Sequence, residues 1–582
     1  MKAKLARATA VWLLVAASAC QDDPAAASAR SAHFALNTAP EGFDPLRAYR
    51  VTESILQRQI LETLTEYDPA APAEARVRPL LAELWEMSPD GLRWTFTLRS
   101  NARFYDRGSP PLWPFGSRAV EAADVVASLV QHADPRQPFF NTWDAYQEMF
   151  AGLDELRSQL LTAGGEGDAL LEQAMTEGVA GIRALDARRV QFTLSRRDGF
   201  FLQRLASQAF AVIPRERALG PAETRANQPV GSGPFYLAEW LTGQRAVLRK
   251  IPSWREPGDE DAAGEVSFDF VRETAVRGLL FEEGRLDRMS LALDAFSRYL
   301  QDGELKTEWS ARGWRLSRLQ VPDTSFLVFN LRDPVIGAVP GDPEADRRHQ
   351  GLRRALALAF PRDGWHQLLR GSAAAVPART PLPPVVPEAA SLSDFPWLGP
   401  DLDAAARELA AVGLAGGASV PELVFDLTSD DPVTASLGEL YLANLRQLGL
   451  RCRAQPNAWR SLMDRAARGE FQITLQSWTL DWPDAAMIFL LFDSAGIGRE
   501  TNLSQFADAG YDQALARLRA TSEGAERARL CAELAAILAD RLPAMPIDHR
   551  VSHLLHQPWI SQSEGHPFDP LACKFIRLGE RN

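Results

Sequence analysis

Ser88-Pro89-Asp90-Gly91-Leu92-Arg93-Trp94-Thr95-Phe96-Thr97-Leu98-Arg99 is the stretch from which the rest of the chain is read. Trp94, Phe96 and Leu98 alternate with Arg93, Thr95, Thr97 and Arg99, the period-2 pattern of a half-buried strand. Val190, Phe192 and Leu194 repeat it. So do Phe471, Ile473 and Leu475, set between Gln472, Thr474 and Gln476 just before a Trp-rich loop. Leu352, Ala355, Leu356 and Ala359 follow helical spacing instead, as do Leu530, Leu534, Ile537 and Leu538. A mixed α/β chain is expected, broken by Pro/Gly-rich stretches at 108–116, 252–264, 337–343 and 375–387. The Leu/Ala/Glu/Gln-rich segment 151–177 reads as an added helical pair.

A length of 582 residues exceeds one ordinary core and predicts two or three domains. The formal charge of −12 argues against nucleic acid and against docking on an anionic bilayer through a basic face. Lys2, Lys4 and Arg7 precede an apolar run over 8–17 that ends at Ala17-Ser18-Ala19-Cys20. This is the arrangement of a secretory signal, and the run is too short to span a bilayer as a mature helix. Cleavage after Ala19 leaves 563 residues (582 − 19) and, with three basic residues gone, a charge of −15 (−12 − 3). The Ala/Ser-rich continuation to Ser31 reads as a flexible tether. Cys452, Cys531 and Cys573 remain; three thiols cannot all pair within one chain, and their spacing is not that of a metal site.

Several segments, in order, resemble the family 5 extracellular solute-binding proteins, the group of periplasmic dipeptide, oligopeptide and nickel receptors. Leu61-Glu62-Thr63-Leu64 and Leu80-Leu81-Ala82-Glu83-Leu84-Trp85 are similar to the family's opening, and the stretch from Ser88 to Arg99 to its most recognisable strand pair. Ala123-Asp124-Val125-Val126-Ala127-Ser128, Gly231-Ser232-Gly233-Pro234-Phe235, Phe329-Asn330 and Leu352-Arg353-Arg354-Ala355-Leu356-Ala357 follow. Leu445 to Leu450, Gly469 to Ile473, Trp478 to Asp484 and Pro543-Ala544-Met545-Pro546 complete the series. The chain departs from the family pattern at Pro361-Arg362, at Pro483-Asp484 and in one extra residue over 104–108. Cys20 after small residues resembles a lipobox, whose cysteine is diacylated and becomes the new N-terminus; ordinary cleavage at Ala-Ser-Ala is the other reading.

The resemblance implies a two-lobed periplasmic-binding-protein-like fold (type II, cluster C), with an extra domain on the first lobe and a hinge between the lobes. Lobe I would use 31–75, 227–321 and 546–582, the extra domain with its helical insert 76–226, and lobe II 322–545, after a signal peptide at 1–19 and a lipid-anchored tether at 20–30. The hinge is then expected near Val321 and Ala544. The implied activity is that of a monomeric, exported receptor that captures an oligopeptide-like solute between its lobes and hands it to the permease of an ABC importer, without cofactor or metal. A ligand-sensing or partner-binding lipoprotein of the same fold is the alternative, and the solute is open to nickel chelates, glycosides, opines and haem. In peptide-binding members the position of Asp481 holds the carboxylate that pairs with the ligand's α-ammonium group, and a buried ammonium requires such a partner. Trp478, Leu480 and Trp482 beside it either wall the cleft, with the rings against the cation, or pack in the core. Family position adds the segments around Tyr49 to Glu53 and Phe139 to Trp143, with Glu53, Phe140 and Asn141 as candidates. Asn330 either bonds a peptide amide or ends its own strand.

Catalytic and metal readings are weaker. His549, His553 and His556 fall in what reads as a strand, where His556 points away from the other two. Gly231-Ser232-Gly233-Pro234 lacks the frame of a nucleophile elbow. No Walker motif or dinucleotide fingerprint is present in the sequence.

Overall fold

Ala544–His556 is a strand of 13 residues on which both halves of the large sheet are built. A computed structural model describes residues 30–581, except 48–50, 72–74, 109–110, 114–115, 137–144, 257–260, 371–373, 429–431, 500, 522–523 and 563–564. The signal segment, Cys20, Tyr49, Phe140 and Asn141 lie outside the described residues. On one side the strand order runs Phe235–Leu241, Arg245–Lys250, Glu265–Phe270, Ser31–Leu36, Arg288–Ser290, Ala544–His556. It continues through Asp323–Phe329, Ile473–Thr479 and Leu423–Thr428 to Cys452–Asn457. Helices pack on this mixed sheet, among them Pro343–Leu358 and Ala525–Arg541, whose Leu352, Ala355, Leu356, Leu530, Leu534 and Leu538 are buried as their spacing requires.

The chain passes between the halves twice. Arg315–Gln320 pairs with 551–556, whereas Asp323–Phe329 pairs with 544–548, so Val321 and Pro322 form one crossing. The second was expected at Ala544; the register places it at 548–551, inside the continuous strand. Nothing after Pro546 breaks the strand, and Pro546 itself, which has no N–H to give, is accommodated by a register shift between Ser325 and Phe326. The crossings are bound side by side: Val321 N donates to Arg550 O at 2.9 Å and Arg550 N to Asp323 Oδ1 at 2.9 Å.

The opening stretch forms a hairpin in a separate four-stranded sheet, ordered Ala82–Met87, Arg93–Leu98, Arg189–Thr193, Ile182–Ala184. Gly91, at φ +70°, supplies the left-handed turn residue, and Ser88 N closes the hairpin on Arg93 O at 2.8 Å. Phe96, Leu98, Val190 and Phe192 are buried on one face, while Arg93 and Arg189 face solvent. Ala122–Val130, opened by a capping box between Glu121 and Asp124, packs behind this sheet. The helical pair is Leu153–Thr162 and Gly167–Glu177, turning Leu153, Leu156, Leu160 and Met175 inward. No helix among the described residues is long and apolar enough to cross a membrane.

Candidate ligand-binding site

The strand expected over 471–475 is Ile473–Thr479, because pairing with the wholly buried strand Asp323–Phe329 continues from Ile473 opposite Phe329 to Thr479 opposite Asp323. Trp478 is therefore a strand residue, opposite Thr324 and half-buried. The chain then leaves the sheet at the crossing, where Leu480 N donates to Pro322 O at 2.7 Å and the Leu480 side chain is buried. Two residues on, Trp482 is 5% exposed, and Asp484 accepts from Ala486 N at 2.8 Å while pairing with the guanidinium of Arg527. Asp481 lies between these two anchors and is exposed. A short loop with both ends buried presents a carboxylate without the entropy cost of a free loop.

An aromatic and cationic group is built from Tyr67 of the separate strand pair Thr65–Tyr67 and Val77–Pro79, Arg58 of the helix Val51–Ile60, and His566. Tyr67 is buried, stacks on His566 with ring centroids 4.5 Å apart, and donates its hydroxyl to Gln203 O at 3.3 Å. Burial pushes its pKa well above the ordinary tyrosine value; Arg58 opposes the rise, and the carboxylates of Asp481 and Asp569 add to it. Arg58 is held by Ala206 O at 3.1 Å, and together with burial it keeps His566 down at about 4. Among the described residues, the indole N–H groups of Trp478 and Trp482 are buried without an acceptor. The Trp482 ring carries a chain cation: the Arg204 guanidinium stands 4.4 Å from its centroid, with Nε 2.8 Å from Asp198 Oδ2.

Asn330 is bonded at its own strand end. Its amide nitrogen donates to Gly469 O at 2.8 Å and Phe471 O at 2.7 Å, and its Oδ1 accepts from Arg332 N at 3.0 Å. It is 2% exposed and follows Phe329, at the end of the strand pair away from Thr479 and Asp481. A pair of this length separates its ends by roughly 20 Å, which sets Asn330 and Asp481 at opposite ends of it. Glu53 lies in the first turn of Val51–Ile60, 1% exposed, where its Oε1 accepts from Glu41 N at 3.4 Å.

The three histidines of the long strand are dispersed among local partners. His549 meets Asp323 O at 3.0 Å, His553 meets Val551 O at 3.2 Å, and His556 meets Ser317 Oγ at 2.6 Å. Cys452, Cys531 and Cys573 are free thiols, and burial pushes the first two up to about 12.

Two sheet halves sharing a crossing strand, with an added domain and a loop-borne carboxylate at the crossing, define the architecture of a periplasmic binding protein. The chain belongs to the bacterial extracellular solute-binding proteins, family 5, whose model matches residues 76–499. Heme-binding protein A of Haemophilus influenzae is 23% identical over 588 residues, covering 98% of this chain and 97% of that protein. The dipeptide-binding protein of Escherichia coli is 22% identical over 557 residues, 94% of each. In fold, the chain is similar to NikA from Brucella suis in complex with Fe(III)-EDTA, with TM-score 0.74 and 18% identity over 94% of this chain and 99% of that one. Members of this family are transport receptors, not enzymes, and act outside the cytoplasm.

Sequence reasoning missed Tyr67, Arg58, His566 and Arg204. Each reaches the site from a distant part of the chain, and none sits in a motif; the aromatic pair His566 and Phe568 was the only local signal, and it is a weak one.

Proposed function

We propose that this chain is the solute receptor of an ABC importer and that it captures an oligopeptide-like ligand by its α-ammonium group, with Asp481 as the acceptor. The observation that carries the reading is the exposed carboxylate of Asp481, fixed between buried Leu480 and Trp482 at the crossing between the sheet halves. An ammonium leaving water needs a carboxylate partner. The likeness to the dipeptide-binding protein of Escherichia coli supports the same ligand class. In this reading 31–75, 227–321 and the C-terminal segment form lobe I, 76–226 the extra domain and 322–545 lobe II, with lobe II extended along the shared strand to its crossing. Ligand contacting both lobes biases the open–closed equilibrium. Cys20 is the proposed lipid anchor, which holds the receptor at the membrane beside the permease.

The likeness to a protein holding Fe(III)-EDTA favours a second reading, a chelate receptor. Asp481 weighs against it, since a fixed carboxylate repels a polycarboxylate ligand. Thermal unfolding against di- to hexapeptides, their N-acetylated forms and nickel chelates separates the two, because a ligand of the folded state raises the midpoint with concentration. A rise with peptides that acetylation abolishes supports the peptide reading; a rise with chelates alone replaces it.

A further inference from the structure

Beyond the large sheet, the segment 148–205 of the added domain meets the second half of the molecule in two places. At the first, Arg204 from Phe201–Leu205 covers Trp482 at 4.4 Å and approaches Asp484 Oδ2 at 3.9 Å. Beside it Phe200 lies under the guanidinium of Arg527, 4.9 Å from the ring centroid, and Arg527 is shared between Asp484 and Glu388. At the second place, Glu148 Oε2 sits between two guanidiniums, 3.0 Å from Arg196 and 2.9 Å from Arg519 in the last turn of Ala509–Ala520. Every partner in this set belongs to the chain itself.

We propose that these contacts form a two-armed latch between the added domain and lobe II, and that Arg204 is a positioning residue for the loop that bears Asp481. The arms differ physically. Trp482 and Arg204 are largely buried, so a cation over that indole face keeps its strength in salt. Glu148 is half exposed, and its bridge is screened. Glu148 also adopts φ +58°, a left-handed conformation uncommon for a side-chain-bearing residue, fixed by its N–H on Asp154 Oδ2 at 3.0 Å. Such a geometry is retained where surrounding contacts hold it, here with the carboxylate set between two arginines. Without that carboxylate, Arg196 and Arg519 repel each other, since the charge of Arg519 already helps burial to lower the Arg196 pKa. On the other arm, Leu480 and Asp484 fix the loop from lobe II, and Arg204 fixes Trp482 from the opposite side. The loop's conformation therefore depends on the added domain's being in place.

The importance of this loop for ligand capture rests on the reading of Asp481 above; the latch and the loop's order do not, and both are measured without ligand. Small-angle scattering of the full chain gives the test of the latch. Wild type should keep one radius of gyration between about 0.05 and 1 M salt, because the buried arm is unscreened. Arg204→Ala should match it in low salt and expand in high salt, and Arg204→Ala with Glu148→Gln should be expanded in both. Equal radii for wild type and the double variant at every salt concentration would overturn the latch. Hydrogen exchange tests the positioning role: the amides of Leu480 and Asp484 should exchange about tenfold faster in Arg204→Ala, while those of the strand pair Arg93–Leu98 and Arg189–Thr193 keep their wild-type rates. Arg204→Lys, which keeps a cation on the ring, should restore protection, and exchange indifferent to all three residues at position 204 would remove Arg204 from the role. If no peptide binds wild type, the ligand reading fails alone, and scattering and exchange still decide the latch.

Discussion

At the scale of the residue, a carboxylate's neighbours decide its work. Asp481 is held out between two buried side chains, while Asp484, three positions later, is consumed by Arg527 and a helix start. Asp481→Ala should therefore weaken peptide binding by about 3–5 kcal/mol, the cost of a buried ammonium left without its partner. Calorimetry showing a loss below about 1 kcal/mol would assign the ammonium to another group. The buried histidines give a second expectation. Burial holds His132 and His556 at about 3 and His549 and His566 at about 4. Unfolded imidazoles titrate near 6.5, so the unfolded chain takes up these protons first. The stability they confer is complete above about pH 6.5 and is lost as pH falls toward the folded values, at about 2 kcal/mol for each imidazole by pH 5. The unfolding midpoint should drop over that interval, and His556→Gln should flatten the slope. A midpoint constant from about pH 7 to 5 contradicts neutral burial.

At the scale of the element, the crossing is held by one charge pair. Asp323 is fully buried; burial raises its pKa and Arg550, whose N–H and guanidinium both reach it, pulls it back. Arg550→Ala leaves that carboxylate uncompensated and should cost about 3 kcal/mol in urea unfolding, with much of the loss recovered by adding Asp323→Asn. A double variant no more stable than Arg550→Ala would mean that Arg550 acts through packing. The elements themselves were readable wherever alternation was strong: Trp94 to Leu98, Val190 to Leu194 and the helix bearing Leu352 and Leu356 all appear where their periods put them. The end of Ile473–Thr479 was not, because Gln476 and Ser477 look like loop residues until Phe326 and Ser325 pair with them. The register change at 548–551, near the crossing expected around Ala544, could not be read either, since strand partners, unlike strand periods, are set by the far chain. The bonds of Asn330 to the carbonyls of Gly469 and Phe471 were likewise not legible, because those carbonyls come from a distant part of the chain.

At the scale of the whole molecule, the two sheet halves are inseparable because Ala544–His556 contributes its first half to one and its second half to the other. An isolated 322–545 fragment would lack the neighbour of Asp323–Phe329 on one side and should remain unfolded, whereas 322–556 restores the pairing of that strand. Circular dichroism and hydrogen exchange of the two fragments give the comparison, and a folded 322–545 would show that the halves are independent. The family and the two-lobed plan were legible in the order of many weak segments; the grouping of Tyr67, Arg58 and His566 was not, since these residues meet only through the fold.

The position of the shared strand also sets a timetable. Ribosomes deliver the chain from its N-terminus, and neither half can finish its sheet until residues 544–556 have emerged. Until then the nascent protein lacks the strand that joins its two sheet halves, and neither half is sealed before that strand arrives. The strand that seals the receptor is thus also what delays its sealing.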